Sequence, residues 1–248
     1  MSQSIHHHLS QEHKISPRSQ YIGEVVYGGI DGIITTFAVV AGFVGAGAVQ
    51  TLGQIGPFAV VLFGLANLFG DGVSMALGKY LSTKSEQDIY RRAWSKELYE
   101  IQHHHDMEYQ ESIDILIQQG MSPTDAQQYI QIISQYPTLW TKWMMDNELQ
   151  LPDSLNEKPL IQSIITLFSF IIFGAIPLIP FLFMKDSSFD FWHLSLIMTA
   201  IALLLLGFVR WSVTKMNIIR TVGQILLLGA IAATVAYWTG ELVTRWGG

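Results

Sequence analysis

Tyr21 to Gly47 reads YIGEVVYGGIDGIITTFAVVAGFVGAG, an apolar and small-residue run whose only charges are Glu24 and Asp31. A helix of about 20 mostly apolar residues crosses a bilayer, and lipid offers the backbone no hydrogen-bond partner outside its own helix. Gly56–Leu81, Leu160–Phe183, Phe191–Trp211 and Ile218–Val243 have the same character. Pro177 and Pro180 should kink the outer end of the third of these five segments. Trp192, Trp211, Trp238 and Trp246 fall near segment ends, where an interfacial aromatic belt would place them.

The expectation is an all-α integral membrane protein. Residues 1–20 form a polar N-terminus, 21–81 hold transmembrane helices one and two, and 160–248 hold helices three to five. The stretch 82–159 is polar and carries 13 of the 20 acidic residues, so it reads as a three-helix domain inserted between spans two and three. Composition agrees. Charged residues make up 14% of the 248, against about 25% in soluble domains, 50% are hydrophobic and the mean hydropathy is +0.32. A disordered chain is excluded and a soluble enzyme disfavoured. A net charge of −6 lacks the basic field of a nucleic-acid binder, and with no cysteine there is no disulfide, thiolate nucleophile or zinc finger. The N-terminus has no apolar signal-peptide core, and its His6–His8 run is assigned no role.

With the N-terminus inside, twelve Lys and Arg fall on the inner side, against Lys185 and Arg245 outside. That bias places the N-terminus and the insert in the cytosol. A short chain without targeting extensions favours a bacterial inner membrane over a vacuolar one.

Carboxylates at membrane depth are costly and usually functional. Glu24 and Asp31, seven residues apart, share nearly one helical face of span one, and Asn67, Asp71 and Met75 recur every fourth residue in span two. Carboxylate, amide oxygen and thioether sulfur together suit a borderline divalent ion such as Fe2+ better than Ca2+ or Mg2+. Solvation at the interface would also account for Glu24, and ordinary packing for Met75. Asp31, in an otherwise uncharged run, has the least ordinary explanation. Gly28, Gly29, Gly32, Gly42, Gly45, Gly64, Gly70 and Gly72 permit close helix approach. A two-fold interface between copies and packing within one subunit both fit them.

No proline or glycine interrupts Thr83 to Gln119, so one long helix is expected there. At ~100° per residue, Glu97, Glu100, Glu108 and Glu111 share a sector of roughly 80°, with His104 between the two pairs. The pattern reads as a metal site or as a solvated acidic face. Met121-Ser122-Pro123-Thr124 should open a second helix that Tyr136-Pro137 ends, and Thr138 to Leu149 a third. That third helix would bring Met144, Met145 and Glu148 over the acidic one.

These residues resemble the vacuolar iron transporter family, ferrous iron/proton antiporters of plants, yeast and bacteria. The resemblance lies in Gly29-Ile-Asp31-Gly-Ile-Ile-Thr-Thr-Phe-Ala-Val-Val-Ala-Gly42, Ser74-Met75-Ala-Leu-Gly78 with Tyr80-Leu-Ser, and the two E-x-x-E pairs. It continues through Met144-Met145-x-x-Glu148, Ile176-Pro177-Leu-Ile-Pro180 and Gly229-Ala-Ile-Ala-Ala233 with Tyr237 and Gly240. It implies a homodimer with an ion path between spans one and two. Asp31 and Met75 would then be transport-site ligands, and Glu97, Glu100, Glu108, Glu111, Met144, Met145 and Glu148 cytosolic metal ligands. Glu24 stands where plant members have an aspartate at the cytosolic mouth. Asn67 departs from a glutamate of the plant members and cannot carry a proton, which puts coupling by that residue in question. Asp71, one turn later and either within the membrane or in a wet vestibule, is the candidate substitute. Lys79 is a further departure. The expected function is export of Fe2+, with Mn2+ or other divalent ions as further cargo, against protons. The other readings are a membrane-anchored di-iron ferroxidase, for which Glu100-Ile-Gln-His103 supplies one E-x-x-H motif of the two required, and an iron-storing or sensing protein.

Overall fold

The computed structural model describes residues 17–47, 49, 55–183 and 191–247. The His6–His8 run, Lys14, Lys185 and most of the loop after span one lie outside them. The described residues are helical throughout, apart from turns and connections, and fall into two compact units: 1–80 with 160–248, and 81–159.

The first unit contains helices long and apolar enough to cross a membrane. Helix α1 is Ile22–Gly45. It stops where Gly47 takes φ +63°, a left-handed conformation that glycine adopts without a Cβ clash. Helix α2 is Ile55–His103, so the second apolar segment continues without a break into the polar sequence beyond it. The inserted unit holds α3, His105–Gln118, α4, Pro123–Ile133, and α5, Pro137–Asn147. Then follow α6, Pro159–Gly174, a 3-10 turn Ile176–Leu178, α7, Ile179–Phe183, α8, Phe191–Thr214, and α9, Ile218–Gly247.

The expected distortion around Pro177 takes the form of that 3-10 turn. Proline has no N–H for the helical ladder, and the Pro177 carbonyl instead accepts a 2.8 Å hydrogen bond from the Ser195 hydroxyl on α8. Gly28, Gly29 and Gly32 of α1 serve packing inside the chain. A Cβ on Gly32 would run into the Phe170 carbonyl, one on Gly28 into the Thr166 carbonyl, and one on Gly29 into Leu206. Gly42 and Gly70 have nothing within 4 Å of such a Cβ.

In the second unit the single helix expected from Thr83 to Gln119 is broken. Helix α2 ends at His103, His104 leaves helical geometry at φ −126° and ψ 34°, and α3 restarts at His105. No local breaker is present, so tertiary packing wins over propensity. The new direction lets Ile113 and Leu116 bury against Ile130 and Trp140, and the His105 ring meets Trp140 edge-on at 5.2 Å. Gly120, at φ +101°, then closes α3 with its N–H on the Ile117 carbonyl, and Ser122 caps α4 by accepting from the Asp125 N–H at 3.2 Å. Helix α4 stops at Ile133, short of Tyr136, and Pro137 opens α5.

Candidate metal centre

In the 81–159 unit, three helices each deliver one carboxylate to a common point. Glu97 comes from α2, Glu108 from the first turn of α3, and Glu148 from the residue capping α5. One oxygen from each lies within 4.8 Å of the others. Oxygens on opposite sides of a divalent ion at ~2.2 Å are ~4.4 Å apart, so a closure of a few tenths of an ångström would bring all three onto one ion. Glu97 and Glu108 are buried and Glu148 half-buried. Glu97 Oε1 and Glu148 Oε2 are buried without a hydrogen-bond partner, a costly state for a carboxylate that a cation would relieve.

Burial and repulsion oppose ionisation here. Burial first, then the charges of Glu148, Glu108 and Glu100, push the Glu97 carboxyl up to about 8. Burial and Glu111 raise Glu108, and burial, Glu111 and Glu108 raise Glu148. A proton or a metal ion therefore has to compensate this cluster, and the two compete for the same oxygens.

The other expected ligands divide. Glu100 is half-buried and pairs with Lys96 at 3.1 Å, and exposed Glu111 lines a polar groove of roughly 890 Å³ that also reaches Glu148. Met144 and Met145 are fully buried. The Met144 sulfur accepts the Ser112 hydroxyl at 3.1 Å, and the same hydroxyl oxygen accepts the Trp140 indole N–H at 2.8 Å. His104, at the break between helices, is exposed and outside the carboxylate group, because the projection that placed it there assumed one unbroken helix. In the E-x-x-H motif, His103 Nδ1 lies 2.9 Å from the Tyr99 carbonyl and Glu100 is paired with Lys96 at 3.1 Å.

In the membrane unit, Asp31 is half-buried on α1, and Asp71 on α2 is exposed yet within coulombic reach of it. Met75 is half-buried one turn further on. The Asn67 amide nitrogen is buried without a partner at the edge of an apolar groove of roughly 1030 Å³, lined by Ala38, Phe43, Phe63 and Ala236 among others. Glu24 is buried and ion-paired with Lys79 at 3.3 Å. Sequence reasoning missed that pair and the Ser112–Trp140–Met144 contact. The first could have been found, since Lys79 continues the four-residue stripe of Asn67, Asp71 and Met75.

A family model described as VIT family matches residues 22–241. Vacuolar iron transporter 1 of Oryza sativa subsp. japonica is 32% identical over 239 residues, covering 96% of this chain and 90% of its own. A vacuolar iron transporter of Toxoplasma gondii is 30% identical over 253 residues, with 98% and 82% covered. Vacuolar iron transporter 1 of Arabidopsis thaliana is 28% identical over 242 residues, with 97% and 92% covered.

Proposed function

The chain belongs to the VIT family, a family of transporters and multi-pass membrane proteins, and on that premise we propose that it exports Fe2+, and also Mn2+, from the cytosol in exchange for protons. The observation that carries this reading is the convergence of Glu97, Glu108 and Glu148 with two buried oxygens unpartnered. Such a cluster is suited to capture an ion at low concentration. Glu100 and Glu111 add negative charge around it, and Met144 and Met145 supply the sulfur that favours Fe2+ over Mg2+.

The captured ion passes to Asp31 and Met75, with Asp71 taking the proton-carrying role that Asn67 cannot. A carboxylate must be ionised to hold a metal, so a proton arriving at Asp31 from the outer side weakens its grip and releases the ion. Proton uptake and metal release then form one coupled event. Two copies pairing along α1 and α2 would enclose the path. In support, Phe58, Leu62, Phe69, Val73 and Leu77 leave a broad apolar face of α2 uncovered in the single chain. The test is Fe2+ and Mn2+ flux into proteoliposomes with and without an imposed pH gradient. A gradient acid on the side receiving the metal should accelerate flux, and metal-driven proton movement should appear in the opposite direction. Flux indifferent to the gradient would remove the antiport step.

A further inference from the structure

We infer that Lys79 is a resident counter-cation at the inner mouth of the ion path, which an arriving divalent ion must displace from Glu24. The inference rests on the transport reading above and adds a threshold to it.

Asn67, Asp71, Met75 and Lys79 recur every fourth residue, so one stripe of α2 carries an amide, a carboxylate, a thioether and an ammonium in turn. Helix α1 runs beside it in the opposite direction, with Lys79 against Glu24 and Asp71 near Asp31. The charged pair is thus the next rung of the ladder that holds the candidate transport residues.

The Glu24 side chain is only 10% exposed, and a carboxylate withdrawn from water to that extent needs a cation, a proton or a donor. Lys79 Nζ supplies the cation at 3.3 Å. Its own side chain is more exposed, and an ammonium on a flexible four-carbon stem can swing out while the carboxylate stays in place. With Lys79 engaged, the mouth is neutral and attracts a divalent ion weakly. With Lys79 withdrawn, Glu24 offers a full charge and its oxygens as ligands. A monovalent cation gains less than a divalent one by that exchange, so the lysine also favours divalent cargo.

The test is the half-saturating Mn2+ concentration for flux into proteoliposomes holding the full-length protein. Lys79→Gln should lower it about tenfold, because the buried carboxylate loses its competitor. Lys79→Arg should leave it unchanged or raise it, since a guanidinium binds a carboxylate through two parallel hydrogen bonds. In a Glu24→Gln background, Lys79→Gln should have no further effect. An ion pair that only holds the helices together predicts a lower yield of folded protein with unchanged half-saturation, and that result for Lys79→Gln would overturn the inference. If Lys79→Gln does not fold, Lys79→Arg decides: a clear fall in half-saturation would also overturn it. Wild-type vesicles that move no Mn2+ would instead refute the transport reading, and this inference with it.

Discussion

Glu97 and Glu108 bring carboxylate oxygens within 4.8 Å of each other across the break at His104, each on its own helix and both buried. Burial and the neighbouring charges of Glu148, Glu108 and Glu100 oppose ionisation here, and Glu97, raised from 4.5 to about 8, is the group that keeps its proton. Its folded-state value lies above its unfolded one, so the folded protein binds a proton the unfolded chain has already lost. The stability this confers is complete below about pH 4.5 and is lost as the pH rises through about 8. Thermal melting of metal-free protein should therefore weaken from pH 5 towards pH 8. Glu97→Gln should flatten that slope and melt higher than wild type at pH 9. A wild-type profile as flat as the variant's would mean Glu97 ionises freely.

Metal binding must displace that proton. Calorimetry of Mn2+ binding at pH 7 in two buffers of different ionisation enthalpy should show release of about one proton per ion, declining above pH 9. Glu97→Gln and Glu108→Gln should each weaken binding at least tenfold, whereas fully exposed Asp106→Asn should change it less than twofold. Equal affinity in all three variants would place the ion elsewhere.

Ser112 links the core to the candidate ligands, since its oxygen accepts from Trp140 and its proton reaches the Glu108 carbonyl or the Met144 sulfur. Ser112→Ala strands the Trp140 N–H in a buried site, which costs about 1–3 kcal/mol. Chemical denaturation followed by tryptophan fluorescence should show that loss, together with weaker binding of Mn2+ as Met144 is freed. An unchanged midpoint would make the contact incidental.

Gly32 and Gly42 test the packing of α1. Gly32→Ala forces a methyl group into the Phe170 carbonyl, and backbone cannot step aside as a side chain can, so little folded protein should be recovered. Gly42→Ala meets nothing within 4 Å and should melt within a few degrees of wild type. Similar thermal profiles for the two would contradict the helix register.

Much of the fold was legible because the bilayer sets it. Runs such as Ile22–Gly45 announce themselves by length and lack of charge, and Gly120, Ser122 and Pro137 mark the turns of the insert by their own backbone chemistry. The break at His104 was not legible. Nothing local stops the helix there, and its cause, the burial of Ile113 and Leu116 against Trp140, depends on a partner more than 30 residues beyond the break in sequence. For the same reason the acidic residues could be named from spacing, but not which of them meet. Convergence selects Glu97, Glu108 and Glu148 and leaves His104 in solvent. Sequence also suggested Glu24 as an open carboxylate at the mouth, while Lys79, from another helix, already holds it.

The central claim is that Asp31 carries the cargo ion and exchanges it for a proton. Asp31→Asn keeps the size and one oxygen ligand while removing the charge, and an amide costs less than a carboxylate at that depth, so folding should survive. The decisive measurement is Fe2+ flux, under a pH gradient, into proteoliposomes holding equal amounts of folded wild-type or Asp31→Asn protein. Flux should fall at least a hundredfold in the variant, to the level of empty vesicles, with the gradient no longer having any effect. Fe2+ moving through Asp31→Asn at the wild-type rate would contradict both the path and its mechanism.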